Sequence, residues 1–284
     1  AQSLKGNDVL KALPHQLFAS QPAGLLGRSG TLQKAAAQIC GSGYAAQYVT
    51  RYQTHAQGDS KGPAKVALIG TSASGELFNF AGFLEQYLET PVRNFSVPGG
   101  GYDDSLIAYL LGDDFQNAPP RVLVWETDNL DSLGKSSFSR QAMAALSDGC
   151  DNQAPLLKSQ ATLHGGRNQV LFNGGGGNVY PIKGNRYLVD LTFSDPGVRL
   201  LNATLTYLNG RQENLSLSRS PTVSTQGRFA FELRGDGDWD DQTFLSMDVQ
   251  PPPEMTSGTL STRLCVKPAI TAAPSLRTAQ AEEN

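Results

Sequence analysis

The chain has 284 residues, enough for two ordinary domains, each with a core of its own. Its 23 basic and 26 acidic residues leave a net charge of −3, and only 17% of the chain is charged, so no basic stripe exists to track a nucleic-acid backbone. No apolar run is long enough for a transmembrane helix, and three scattered cysteines without a Cys-x-x-Cys or a Cys/His cluster argue against a metal site.

The opening Ala1-Gln2-Ser3-Leu4-Lys5-Gly6 does not read as a signal peptide. Residues 31–53 are predicted to be helical, with Thr31 as cap before an alanine-rich run. Gln57 to Lys65 is polar and broken by glycine and proline, hence a surface loop. Val66-Ala67-Leu68-Ile69 then reads as a buried strand and Gly70 to Gly75 as a tight turn of small residues. An amphipathic helix is expected from Glu76, packing Leu77, Phe80, Ala81, Leu84, Tyr87 and Leu88 on the sheet.

Ser72 therefore stands at a strand-to-helix turn, where its hydroxyl faces solvent beside unpaired amides that favour developing negative charge. A plain helix-capping role for Ser72 or Ser74 is the alternative. A second short strand, Val92 to Val97, runs into Pro98-Gly99-Gly100-Gly101, whose glycines let backbone amides approach an oxyanion closely. A third strand, Arg121 to Trp125, ends at Glu126, and further helices are expected over Asp103–Leu111 and Ser137–Leu146. Alternating strands and helices imply a parallel sheet with its site at the carboxyl edge.

After Cys150 helical patterns vanish. Short strands are predicted at Gln169–Phe172, Tyr187–Phe193, Leu200–Leu208, Arg228–Leu233 and Phe244–Val249, the grammar of an antiparallel sandwich. Gly174 to Gly177 is a loop without the lysine of a phosphate cradle, and Asp236 to Asp241 is a solvated turn, since Met247 stands where a calcium loop needs glutamate. From Pro268 the composition is that of a disordered tail. The expected domains are 1–155, α/β; 156–268, all-β sandwich; and 269–284, tail.

Gly70-Thr71-Ser72 with the Asn94-to-Gly99 block resembles the SGNH/GDSL hydrolase superfamily. Asn79-Phe80-Ala81-Gly82-Phe83-Leu84, Pro98 to Gly101, Trp125-Glu126, Gln38-Ile39-Cys40-Gly41, Gln47-Tyr48-Val49, Asn209-Gly210-Arg211 and Gly237-Asp238-Trp239 extend the likeness, in order and spacing, to AlgX-like bacterial alginate O-acetyltransferases. The resemblance implies a partial SGNH-hydrolase-like domain followed by a carbohydrate-binding module. It also implies Ser72 as nucleophile with Gly99, Gly100 and Gly101 as oxyanion donors, no cofactor, and a periplasmic location.

By composition alone the cysteines are either three separate buried thiols or one bridge and one thiol. The resemblance implies that Cys150 pairs with Cys265 and leaves Cys40 free. A polyuronate polysaccharide is the implied ligand, alongside other proteins of a polysaccharide modification and export complex. On the strand from Leu200, Asn202, Thr204 and Thr206 point away from Ala203, Leu205 and Tyr207, so the first three, with Lys183, Arg199 and Arg211, are the candidate sugar contacts. The family places an Asp-x-His base ahead of the serine. Residues Leu13, Gln53 and Thr162 precede His15, His55 and His164 at that spacing, so none completes the motif, and the chain reads as beginning downstream of it. Three functions follow: acetyl transfer through acyl-Ser72, a non-catalytic polysaccharide-binding or scaffold protein, or a carbohydrate acetyl-esterase.

Overall fold

The computed structural model describes residues 4, 6–41, 44–59, 62–128, 134–252 and 257–269; of the expected tail, 270–284 lie outside the described residues. A short helix, α1 (Asp8–Lys11), is capped by Asn7, whose side chain accepts from the amides of Val9 and Leu10. Strand β1 (Phe18–Arg28) pairs antiparallel with β2 (Gln47–Ala56), enclosing helix α2 (Thr31–Cys40). The expectation of one helix over 31–53 is corrected here. Gly41 takes a left-handed conformation (φ 68°) that ends α2, and Gln47 onward, rich in β-branched and aromatic residues, pairs with β1 instead. The cap is Gly30 and not Thr31, with the Gly30 amide donating to the Gln33 side chain at 2.7 Å.

Strand β3 (Val66–Ile69) lies at the centre of a parallel sheet between β4 (Val92–Asn94) and β5 (Val122–Trp125). Four consecutive buried residues are explained by cover on both faces. Val66 and Leu68 pack with Leu10, Leu13 and helix α3 (Phe80–Leu88), while Ala67 and Ile69 pack with α4 (Tyr102–Leu111) and α6 (Ser136–Leu146). A minor helix, α5 (Asp113–Asn117), precedes β5. The helix expected from Glu76 begins four residues later, at Phe80. Two 3-10 turns, Ser72–Ser74 and Glu76–Phe78, come first, and Asn79 in a left-handed conformation starts α3. Leu84 and Leu88 are buried as expected, but Phe80 and Tyr87 face out; the side of α3 bearing Gly82 and Phe83 meets the hairpin instead, at Thr54 and Tyr52.

The second half is a sandwich of two antiparallel sheets. One orders β10 (Gln212–Ser218), β9 (Leu200–Tyr207), β12 (Phe244–Gln250) and β7 (Asn168–Phe172); the other orders β11 (Arg228–Glu232), β8 (Tyr187–Phe193), β13 (Gly258–Val266) and β6 (Pro155–Leu163). Alternate residues such as Leu201, Ala203, Leu205 and Tyr207 point inward to a core with Phe229, Phe231, Phe244 and Met247.

The two halves are joined tightly. Arg140 on α6 donates from Nε to the Glu232 carbonyl at 2.7 Å and forks onto the buried Glu213 carboxylate of β10. Arg228 and Arg263 converge on Asp190 and Asp151, with Asp148 also held by Arg228. Cys150 and Cys265 form a disulfide, and Cys40 is a free, exposed thiol. Among the described residues no helix is long and apolar enough to cross a membrane.

Candidate active site

Strands β3, β4 and β5 are parallel, so the residues following Ile69, Asn94 and Trp125 collect at one edge of the sheet. Thr71 opens the turn. Its hydroxyl accepts the Ala73 amide at 3.3 Å, and it donates to Glu126 at 3.0 Å. The Thr71 amide donates to the same Glu126 Oε2 at 2.7 Å, and buried Ser74 donates its hydroxyl there at 3.1 Å. From the other side Asn94 Nδ2 donates to the Ser74 carbonyl at 2.7 Å, while Asn94 Oδ1 accepts from the Ser96 amide.

These bonds separate the two serines. Ser74 is a buried structural hydroxyl. Ser72 is exposed and opens onto a cleft of about 410 Å³ lined by Arg28, Gly75, Glu76, Leu77, Phe78, Asn94, Ser96 and Pro98. An exposed hydroxyl at the carboxyl edge of a parallel sheet has the access a nucleophile needs.

The glycine turn follows at the same edge. Gly99 and Gly101 have positive φ (80° and 64°), the conformation for which glycine is suited, and Gly101 starts α4. The Gly100 amide is taken by the Val97 carbonyl at 2.8 Å, and Pro98 is the residue of this turn that reaches the cleft. The loop after β10 braces the turn from the sandwich. Ser220 Oγ donates to the Gly99 carbonyl at 2.6 Å, and the Ser220 amide donates to Asp104 at 2.6 Å. Arg219 reaches the same Asp104 carboxylate at 3.5 Å. Burial raises the Asp104 carboxyl, offset by the Ser220 amide and the Arg219 charge. Burial likewise lowers the Arg219 guanidinium.

None of the three histidines lines the Ser72 cleft. His15 lies 3.6 Å from Glu89, His55 sits in β2 opposite Ala19, and the His164 amide is held by Asn168 in the β6–β7 turn.

The candidate sugar contacts divide. Asn202 and Thr204 line a polar cleft of about 300 Å³ on the outer face of the β9 sheet, with Arg167, Asn214, Ser216, Asp248 and Gln250. Arg167 donates to Thr204 at 3.0 Å and Ser216 to Asn202 at 2.9 Å. Thr206 is half-buried on the same strand, outside the cleft. Arg199 lines a separate cleft of about 450 Å³ beside Arg219 and Pro221. Arg211 stacks on Trp239 at 4.2 Å, and Lys183 bridges to Thr243 at another edge. Sequence reasoning missed Arg28, Arg167 and the bonds made by Glu126. For Arg167 the available signal was its turn, Gly165-Gly166-Arg167, opening directly onto β7. No cluster of metal-ligating side chains occurs among the described residues.

Fold and site together define an SGNH hydrolase-like domain carrying a C-terminal carbohydrate-binding module. Residues 1–129 match the family described as SGNH hydrolase-like domain, acetyltransferase AlgX, and residues 149–279 match a C-terminal carbohydrate-binding module. The chain is a homologue of AlgX. It is 41% identical to the alginate biosynthesis protein AlgX of Pseudomonas aeruginosa over 266 residues, 91% of this chain and 56% of that protein. It is 39% identical to AlgX of Pseudomonas putida over 90% of this chain and 55% of that one. A solved structure of Pseudomonas aeruginosa AlgX superposes with a TM-score of 0.86 at 40% identity, covering 94% of this chain and 63% of the other. A shorter stretch, 24% of this chain and 17% of the relative, is 45% identical to the probable alginate O-acetylase AlgJ of Pseudomonas fluorescens. The chain thus spans about half the length of the AlgX relatives it matches.

Proposed function

We propose that the chain acts in the O-acetylation of alginate or a similar exopolysaccharide, through an acyl-Ser72 intermediate, within a periplasmic apparatus of polymer modification and export. The observation that carries this reading is the division of labour in the turn: Ser74 is buried on Glu126, while Ser72 is the serine of the turn that opens onto the cleft. Ser72 Oγ attacks the acetyl carbonyl of a donor ester, its proton passes to a base, and the donor alkoxide leaves with a proton. A sugar hydroxyl then attacks acyl-Ser72, forming the polymer ester and restoring the serine. The amides of Gly99 and Gly101, which follow Pro98 just beyond the cleft lining, are the proposed donors to the oxyanion, that of Gly100 being engaged by Val97. Two arginines suit an anionic polymer, Arg28 at the serine cleft and Arg167 beside Asn202 and Thr204 on the module. The disulfide supports an oxidising compartment.

A second reading, a non-catalytic polysaccharide-binding or scaffold role, is favoured by the absence of a histidine from the cleft lining. An esterase differs from the transferase only in using water as acceptor. The test supplies an activated acetyl ester and a polyuronate oligosaccharide. Acetyl-oligosaccharide formation that Ser72→Ala abolishes supports transfer; acetate release alone supports the esterase. Oligosaccharide binding that weakens in Arg167→Ala, with no Ser72-dependent turnover, supports the scaffold.

A further inference from the structure

We propose that Glu126 is the positioning residue for Ser72, an inference that rests on the serine's proposed role as nucleophile. The Glu126 carboxylate receives three donors from the residues flanking Ser72. The Thr71 amide lies at 2.7 Å, the Thr71 hydroxyl at 3.0 Å and the Ser74 hydroxyl at 3.1 Å, all to Oε2. One side chain thus fixes the residue before the serine and the second residue after it. Through Thr71 Oγ1, which accepts the Ala73 amide, it also steadies the peptide that follows Ser72.

The main chain sets this side chain in place. The Glu126 amide donates to the Ile69 carbonyl at 2.8 Å, extending the parallel register one residue past β5 and carrying the carboxylate over Gly70. Gly70 leaves room for it, because a Cβ there would lie 2.5 Å from Glu126 Oε2 and 2.9 Å from Ser74 Oγ. The polar side chains of Thr71 and Ser74 are both committed to Glu126, and Ser72 is the exposed one between them. A hydroxyl attacks efficiently only from a restricted set of positions, so immobilising its flanking residues is a catalytic contribution made without touching the substrate. Hydrogen bonds to an ionised carboxylate are stronger than neutral ones, which suits a single side chain holding a turn of small residues.

The full chain provides the test. Residue-resolved amide exchange reads the frame: Glu126→Ala should speed exchange at Thr71 at least tenfold while the sandwich strands keep their protection. Glu126→Gln, whose carbonyl still accepts the Thr71 amide, should return it to within threefold of wild type. Ser72→Cys in a Cys40→Ser background reads the consequence at position 72, since a thiol is alkylated without a general base. Its pH-independent rate with iodoacetamide should rise at least threefold toward that of a free cysteine in Glu126→Ala, and fall back in Glu126→Gln. If Glu126→Ala does not fold, Ser74→Ala removes one of the three donors and should give a smaller change in the same direction. Unchanged Thr71 exchange, or an unchanged alkylation rate in Glu126→Ala and Ser74→Ala, overturns the proposal. Failure of the nucleophile reading is seen separately, as acetyl-ester turnover indifferent to Ser72→Ala.

Discussion

Replacing Arg140 with alanine tests how the two halves are held together. Arg140 and Glu213 are each only 8% exposed, and the guanidinium both forks onto that carboxylate and caps the Glu232 carbonyl. In Arg140→Ala the Glu213 carboxylate keeps only the Tyr207 hydroxyl, at 3.5 Å, so a buried charge is left nearly unpaired. Removing one partner of such a pair costs about 3–5 kcal/mol, a large part of the roughly 5–15 kcal/mol that stabilises an ordinary domain. At about 2–4 °C per kcal/mol this lowers the unfolding temperature by roughly 6–20 °C. Replacing both partners, Arg140→Met with Glu213→Leu, removes the orphan charge and should recover most of the loss. Urea titration and calorimetry of the three proteins decide the matter. A single variant that costs less than about 1 kcal/mol, or a double variant no better than the single, refutes the reasoning.

The disulfide closes a loop of 115 residues, for which loop-closure entropy gives about 5 kcal/mol, so Cys150→Ala/Cys265→Ala should unfold at markedly lower urea. Thiol titration should find one reactive thiol in the native chain, Cys40, and three after reduction and unfolding. Burial raises the Glu85 carboxyl above its ordinary 4.5, opposed by its bond from the Val92 amide. A raised acid binds its proton more tightly when folded, so its stabilising contribution is full below its ordinary range and is lost as pH rises through the folded value. Glu85→Gln, which keeps an acceptor for Val92, should therefore flatten that acid-side slope in denaturation measured against pH. Gly82→Ala would set a Cβ 2.3 Å from Thr54 Oγ1, so it should part α3 from the β1–β2 hairpin and speed proteolysis of the hairpin while leaving the sandwich intact.

Much of the fold was legible because the determining pattern was local. The run Val66 to Ile69 announced a buried strand, and Ala203, Leu205 and Tyr207 announced one face of another, which the structure turns inward. Strand β1 escaped because Pro22, Gly24 and Gly27 interrupt it and neither of its faces is buried enough to impose alternation. Strand β10 escaped for a different reason. Its inward row includes Glu213, and only the guanidinium of Arg140, 73 residues earlier, makes a carboxylate tolerable there. The site divides in the same way. The exposed position of Ser72 could be read from its strand and turn, but the burial of Ser74 rests on Glu126, more than 50 residues downstream. No periodicity reports a bond of that kind. The six candidate sugar contacts were grouped by side-chain type, and the structure puts Asn202 and Thr204 in one cleft, Arg199 in another, Thr206 outside both, Arg211 on Trp239 and Lys183 beside Thr243.

Mass spectrometry of the Ser72 peptide after exposure to an activated acetyl ester tests the central claim most directly. No histidine lines the cleft, so Ser72 should acetylate slowly, and imidazole added to the buffer should accelerate the reaction as an external base or, once acetylated, as the acetyl carrier. The account predicts a 42 Da adduct, about the mass gained when acetyl replaces hydrogen, on Ser72 and not on Ser74, growing with imidazole and absent at that peptide in Ser72→Ala. An adduct on Ser74, or a Ser72 peptide that stays unmodified under conditions that acetylate surface lysines, would contradict it.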